Sequence, residues 1–267
     1  MYLVWREAFP IEAERHVMRH ASSIVFLKDG SLAGAWFAGS YEAEPDVSIY
    51  FARRSVDGHW SSARRVSVET GVAHWNPVLV RTRSESLILF YKVGSRIETW
   101  QTMVRISHDF GISWRPEQEL IPGDRGGRGP VRNKILVRRD GAWVAGASLE
   151  KGDSWTAFSD VSTDEGQTWT RSQDICIHTG SPLSISSSDY SDAFSDIHSK
   201  GRAIAVSPQS VQGRGIIQPT LWEDAGGVHM LLRSTEGWVY RCDSSDGGLC
   251  WSEPYQTIIP NNNSAID

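Results

Sequence analysis

The 267-residue chain lacks long apolar runs: no stretch of 18 or more apolar residues occurs, which excludes a membrane-spanning helix. Residues 1–6 (MYLVWR) lack the basic and apolar regions of a signal peptide, so no membrane partner is expected. Cysteine is scarce. Cys176, Cys242 and Cys250 are the only three and have no metal-ligand spacing, which argues against a disulfide framework or a zinc site and predicts buried free thiols. A surplus of positive charge is also missing. With 27 Lys plus Arg against 32 Asp plus Glu the net charge is −5, so no phosphate-neutralising surface is implied and nucleic acid is not an expected partner. At 40% apolar and 22% charged residues the chain is neither disordered, collagenous nor coiled-coil. The compartment stays open between cytoplasmic and, with a leader outside this chain, secreted.

Tryptophan is abundant at 12 residues, and four of them belong to a repeat. Residues 107–114 (SHDFGISW), 162–169 (STDEGQTW) and 244–251 (SSDGGLCW) share S-x-D-x-G-x-x-W, and 55–60 (SVDGHW) is a copy shortened by two residues. The Asp and Gly suit a tight reversal: a carboxylate bonds nearby backbone amides, and glycine accepts a positive φ. Tryptophan then closes the turn with apolar area.

The same run of β-rich segments precedes each box: 21–27, 32–37 and 47–53; 77–80, 87–91 and 102–106; 135–137, 143–147 and 155–161; 220–222, 228–232 and 238–242. No long helical period interrupts them. Successive box tryptophans lie 54, 55 and 82 residues apart, near the period of a four-stranded propeller blade. An all-β propeller follows, as a single domain over 1–267. The longest spacing carries an inserted surface loop at 172–215, rich in serine, and 260–267 (PNNNSAID) reads as the approach to a further blade. The ring is therefore expected to be incomplete, with about four to five blades covered, and its open edges to invite association. Oligomeric state is not legible.

S-x-D-x-G-x-x-W is identified as the Asp-box, or bacterial neuraminidase repeat, and its spacing resembles the six-bladed propellers of the sialidase superfamily. The resemblance spans most of the chain. Asp-boxes lie on outer blade turns, so they identify fold and not chemistry. Chemistry belongs where the inner strands begin, and there the aligned units place Arg19-His20, Trp75-Asn76, Arg132-Asn133-Lys134, Gln218 and residues 261–264. All are polar approaches at one phase, as a carbohydrate or carboxylate pocket requires. The opposite reading is that polar residues simply precede strands.

The segment RHASSIVFLKDGSLAGAWFAGSYEAEPDVSIYFARR (19–53 with Arg54) resembles the sialidase Arg-Ile-Pro opening, with His20-Ala21 in place of Ile-Pro. The resemblance makes Arg19 one of three arginines that grip a sugar carboxylate, a task suited to a planar, always-charged guanidinium. Asp46 falls where the family keeps its general acid/base aspartate, with Glu42 as the nearby substitute. HMLLRSTEGWVYRCDSSDGGLCW (229–251) resembles the segment with the second arginine, here Arg233. Family members deprotonate a tyrosine nucleophile with a glutamate, where this chain has Gln218, with Glu223 further along; an amide cannot act as that base. The third arginine and the tyrosine come from blades beyond these residues.

The first expectation is therefore a sialidase-like glycoside hydrolase acting on a terminal, acidic or ordinary sugar, of exo-α-sialidase type. Asp46 is its acid, with Glu42 and Gln218 as further catalytic candidates. Arg19, His20, Asn76, Arg132, Asn133, Lys134 and Arg233 are its substrate ligands. An arabinan hydrolase or a polyuronide lyase is the alternative, in which Lys134 or His20 matters most. The third reading is a glycan-binding propeller without catalysis, using exposed Trp36, Trp75 and Trp100 as stacking platforms. No cofactor is expected, and His74, His178, His198 and His229 are too scattered for a metal site. Asn262-Asn263-Ser264 matches a glycosylation sequon but reads as channel lining. Arg53-Arg54 and Arg138-Arg139 read as solvated faces.

Overall fold

A stretch such as Leu-Ile-Leu-Phe-Tyr, with apolar side chains on both faces, is stable only as a strand buried between two neighbours. The computed structural model describes residues 16–177 and 213–267 and contains little but such strands. β1 (Met18–Phe26), β2 (Leu32–Gly39), β3 (Ser48–Arg54) and β4 (Arg64–Arg65) form an antiparallel meander. β5 (His74–Arg81), β6 (Leu87–Val93), β7 (Gln101–Ser107) and β8 (Gln118–Glu119) form a second. The third is β9 (Leu136–Val137), β10 (Trp143–Lys151), β11 (Ser154–Ser162) and β12 (Thr170–Arg171); the fourth is β13 (Arg214–Asp224), β14 (Gly227–Ser234), β15 (Trp238–Ser244) and β16 (Tyr255–Pro260). The one helical turn among the described residues is a 3-10 turn at Ile97–Thr99. Of the predicted insertion, 178–212 lies outside the described residues, and His178 and His198 with it.

The chain forms two compact units, Met1–Arg125 with the first two meanders and Gly126–Asp267 with the other two. The first unit buries Leu27, Phe37, Ile49, Phe51, Leu89 and Tyr91 between its two sheets. In the second, Ile216, Met230, Leu232, Cys242 and Trp251 form a core cluster. A two-residue parallel bridge joins β11 to β13 there, Ser154 opposite Arg214 and Trp155 opposite Gly215. Gly215 permits it: φ is +143°, and a Cβ would lie 2.1 Å from the Trp155 carbonyl oxygen.

Each box folds as its composition demands. Ser107 Oγ donates to Asp109 Oδ1 at 2.8 Å, the Gly111 amide donates to Ser107 Oγ at 2.7 Å, and the Ser113 amide donates to Asp109 Oδ1 at 2.8 Å. The same ring of bonds recurs at Ser162, Asp164, Gly166 and Thr168, and at Ser244, Asp246, Gly248 and Cys250. Two successive left-handed residues turn the chain, Phe110-Gly111 (φ +58° and +82°) and Glu165-Gly166 (+56° and +87°). Trp169 and Trp251 close their turns by donating Nε1–H to the Gly166 and Gly248 carbonyls at 2.9 and 3.1 Å.

Three expectations need correction. Trp36, Trp75 and Trp100 are only 2%, 5% and 4% exposed, because their rings fill the space between strands: Trp36 stacks on Tyr50 and Trp75 meets Trp100 at 5.2 Å. They are core, not stacking platforms. Of the thiols only Cys242 is buried; Cys176 is half-buried, and Cys250 is exposed because its box turn faces water. Arg53 and Arg138 are not solvated faces but half-buried ties: Arg53 bonds Asp29 and Ser31, and Arg138 bonds Asp140 and the Gly247 carbonyl.

Candidate functional site

The inner strands share a defect. β1, β5 and β13 each break register by one extra residue, between His20 and Ser23, Trp75 and Val78, and Ile217 and Thr220. Within each bulge one non-glycine residue is left-handed: Ala21 at φ +49°, Asn76 at +46° and Gln218 at +54°. Arg132, ahead of the short strand β9, takes φ +64°, and Asn263 takes the same value after β16. Such a conformation costs of order 1–3 kcal/mol per residue and survives only where its surroundings impose it. Its recurrence at one phase of the repeat marks these strand starts as built features, since bulges re-aim side chains at sites. Pro77 and Pro219 contribute by keeping Asn76 and Gln218 out of the right-handed helical region.

In the first unit, Arg19 and His20 are exposed on β1, with Arg19 opposite Ala38 near the end of β2. The 40–46 loop leaves that same end. Asp46 closes it, its Oδ2 accepting from the Ser40 amide at 2.8 Å and its Oδ1 from Ser40 Oγ at 2.9 Å. Arg19 and Asp46 therefore belong to one end of the first blade. Glu42 lies exposed in the same loop. His74 Nδ1–H bonds the Val47 carbonyl at 3.0 Å, which fixes the residue after Asp46 against the strand that carries Asn76. Burial pushes the His74 imidazole below its ordinary value, so it packs neutral. Asp46, Ser48, Tyr50, Arg65 and Thr70 border a cavity of about 390 Å³.

Lys92, which the sequence reading passed over, is wholly buried opposite Trp75 and donates from Nζ to Thr102 Oγ1 at 2.8 Å. A lysine inside the apolar strand LILFYKV was the signal, because lysine is almost never buried without a partner.

In the second unit, a hydrogen-bonded chain links three candidates. Asn133 Nδ2 donates to the Gln218 carbonyl at 2.9 Å, and Arg233 Nη1 donates to Gln218 Oε1 at 3.2 Å. Asn133 and Gln218 are buried, and Arg233 lies 5.9 Å above the Trp155 ring. Arg132 stands beside them half-buried, its Nε shielded from water, and makes no hydrogen bond or ion pair among the described residues. A guanidinium so placed is a cation in want of an anion. Lys134 is exposed and pairs with Asp267 at 3.4 Å. Glu223 belongs elsewhere: the Arg139 amide and Arg138 engage it at the far end of β13, five residues from Gln218 and about 16 Å along the strand. Asn261 is buried and caps its own turn, accepting from the Asn263 amide at 2.9 Å. No cluster of histidine, cysteine and carboxylate suited to a metal occurs among the described residues.

Residues 30–267 match the BNR repeat-like domain family. No curated protein matches the chain in sequence. Among solved structures, a Hadza microbial sialidase is similar with TM-score 0.63 and 16% identity over 88% of this chain and 46% of its own. The sialidase of Trypanosoma rangeli gives 0.60 and 15% over 89% and 38%. The leech intramolecular trans-sialidase, in complex with 2,7-anhydro-Neu5Ac, gives 0.64 and 13% over 95% and 53%. The chain thus spans about half or less of the length of these enzymes. At such identity the likeness establishes the fold, a sialidase-like β-propeller architecture.

Proposed function

We infer that this chain, which belongs to the BNR repeat-like domain family, is a sialidase-like glycoside hydrolase acting on a terminal acidic sugar, with a candidate acid in its first unit and a candidate carboxylate ligand in its second. The observation that carries the reading is Arg132: a half-buried guanidinium without a partner among the described residues, held left-handed beside the Asn133–Gln218–Arg233 chain. A sugar carboxylate completes it with two parallel charge-assisted hydrogen bonds. Arg19, His20, Asn76 and Lys134 add donors at the same phase of their own blades.

Asp46 fits the acid. Its loop is pinned by Ser40, which holds the carboxyl at the end of the first blade that also carries Arg19, where it can face a leaving glycosidic oxygen. Glu42 is the substitute within the same loop. The substrate's own negative charge disfavours a carboxylate nucleophile at the anomeric carbon, and the arginines offset that charge.

A second reading, a propeller that binds acidic glycans without turnover, is favoured by Gln218, whose amide accepts from Arg233 and cannot take a proton. One experiment separates the two. A fluorogenic sialoside and a panel of aryl glycosides are incubated with the chain and with Asp46→Ala and Arg132→Gln. Hydrolysis that falls at least about a hundredfold in Asp46→Ala supports the enzyme. Binding without hydrolysis, lost in Arg132→Gln, supports the module. Binding unchanged in Arg132→Gln sinks the carboxylate assignment in either form.

A further inference from the structure

The shortened first box leaves its tryptophan in a different place from the others. In two of the three full-length boxes Trp169 and Trp251 turn back onto their own glycine carbonyls, and in the third Trp114 packs edge-on against Phe51 at 5.3 Å. Trp60, arriving two residues early, instead bridges to Arg54, and its ring lies so close to Gly34 that a Cβ there would stand 3.3 Å from it. Trp60 also borders a cavity of about 700 Å³ within the first unit, shared with Phe51, Ile112, Ser62, Arg53 and Arg64. It opens beyond the C-terminal end of β3, whereas Asp46 precedes the N-terminal end, about 20 Å away along the strand. This is not the site described above.

The chemistry of the lining is specific. Phe51, Trp60 and Ile112 bring aromatic and aliphatic carbon to it, Ser55, Ser61 and Ser62 bring hydroxyls and His59 an imidazole, and no carboxylate is among the lining residues. Arg64 lies over the Phe51 ring at 5.8 Å and donates Nη1–H to the Ile112 carbonyl at 2.6 Å. Asp109 acts on its charge, but no ion pair and no further hydrogen bond engages its remaining donors among the described residues. Arg53, by contrast, is already engaged by Asp29 at 3.3 Å. The cavity therefore offers a guanidinium with donors left over at the edge of an aromatic side chain, with serine hydroxyls among the lining residues. A pyranose ring has an apolar face to lay on indole and hydroxyls to meet serine, and a carboxylate on that ring meets Arg64.

We propose that this cavity is a second, non-catalytic binding site for a carboxylated pyranose, such as a uronic or sialic acid residue, with Trp60 as the platform and Arg64 as the carboxylate ligand. It does not depend on the catalytic reading. Such a site holds an acidic glycan chain to the protein away from the strand starts.

Saturation-transfer NMR on the full chain tests it, with methyl β-glucuronide as probe and methyl β-glucoside and acetate as controls. The glucuronide is expected to bind at about 10 mM or tighter, and both controls at least tenfold more weakly. Arg64→Gln, a change at an exposed position that keeps the fold, should weaken the glucuronide about tenfold or more through the lost charge-assisted bonds. Trp60→Ala should abolish ring saturation, with circular dichroism checking that it folds. Arg132→Gln removes the carboxylate ligand proposed at the strand starts, and the glucuronide should still bind this cavity in that variant and in Asp46→Ala, with the Arg64→Gln and Trp60→Ala losses read in the Arg132→Gln background. Equal binding of the glucoside or of acetate, indifference to Arg64→Gln, or no saturation transfer overturns the proposal. Loss in Arg132→Gln with retention in Arg64→Gln overturns it too, and assigns the binding to the strand starts instead.

Discussion

Asp160 has no exposed surface, yet it sits in the middle of strand β11. Its charge is met from three sides. Arg128 approaches Oδ1 with Nε at 2.8 Å and Nη2 at 2.7 Å, and the Gly129 amide donates to Oδ2 at 2.6 Å. Removing the arginine leaves the carboxylate buried with one backbone donor, which costs about 3–5 kcal/mol where the pair itself is worth far less. Arg128→Ala should therefore lower the urea midpoint of the full chain by that equivalent, and adding Asp160→Asn on top should restore part of it. Additive losses would show that the pair is not the reason for the burial. Nothing in WTAFSDVS announces this arrangement, because the partner stands 32 residues upstream in a glycine-rich loop. Lys92 was hidden for a similar reason: its hydrogen-bond partner Thr102 is on the next strand. Polar strand starts such as Asn76 and Gln218 were legible as residues, but their left-handed bulges were not, since periodicity marks where a strand runs and not where it gains a residue.

At the level of the elements, three strands of every blade could be read from apolar runs, and in the first three blades the fourth could not. β4, β8 and β12 are two residues each, Arg-Arg, Gln-Glu and Thr-Arg, and carry no apolar signal. They exist because the box turn before them returns the chain to the edge of the third strand. The box is thus the element that determines blade closure, and its glycine is where it is most vulnerable. Gly111 has φ +82°, and a Cβ there would lie 2.3 Å from Phe51 Cζ, in the core of the first unit. Gly111→Ala meets both backbone strain and a clash with a ring that cannot move freely. Its cost should be about 3 kcal/mol or more, against about 1–2 kcal/mol for Gly123→Ala, which has a positive φ but open space around it. Thermal unfolding of the two variants decides it. Equal losses would mean that conformation alone, and not the packing of the box on Phe51, sets the glycine requirement.

For the molecule as a whole, the same turns and two histidines set how stability follows pH. Serine and backbone donors hold Asp109 and Asp246 down to about 2, in Asp246 against the opposing effect of partial burial. Their folded values lie below the unfolded ones, so the stability they contribute is complete above about pH 4 and is lost as pH falls toward 2. His74, depressed by burial, acts in the same sense nearer neutrality: the unfolded chain takes up its proton first, and stability falls as pH drops below 6.5. His229 acts in the opposite sense. Burial alone would lower it, but hydrogen bonds to Asp243 at 2.5 Å and Asp224 at 2.8 Å, together with both charges, outweigh burial and raise it above its ordinary 6.5. Arg241 and Tyr255 share Asp243 with it, and Trp222 stacks on the ring, so this cluster binds four strands of the last blade. Its contribution is complete below pH 6.5 and is lost as pH rises through the folded value. The unfolding midpoint should therefore peak near pH 6.5 and decline on both sides, steeply below pH 4 and gently above neutrality. In His229→Gln the decline between pH 6.5 and about 8.5, below the range in which the thiols titrate, should vanish while the part of the acid limb due to Asp109 and Asp246 stays. An alkaline decline of the same size in that variant would show that the imidazole between two carboxylates is not what ties the blade together.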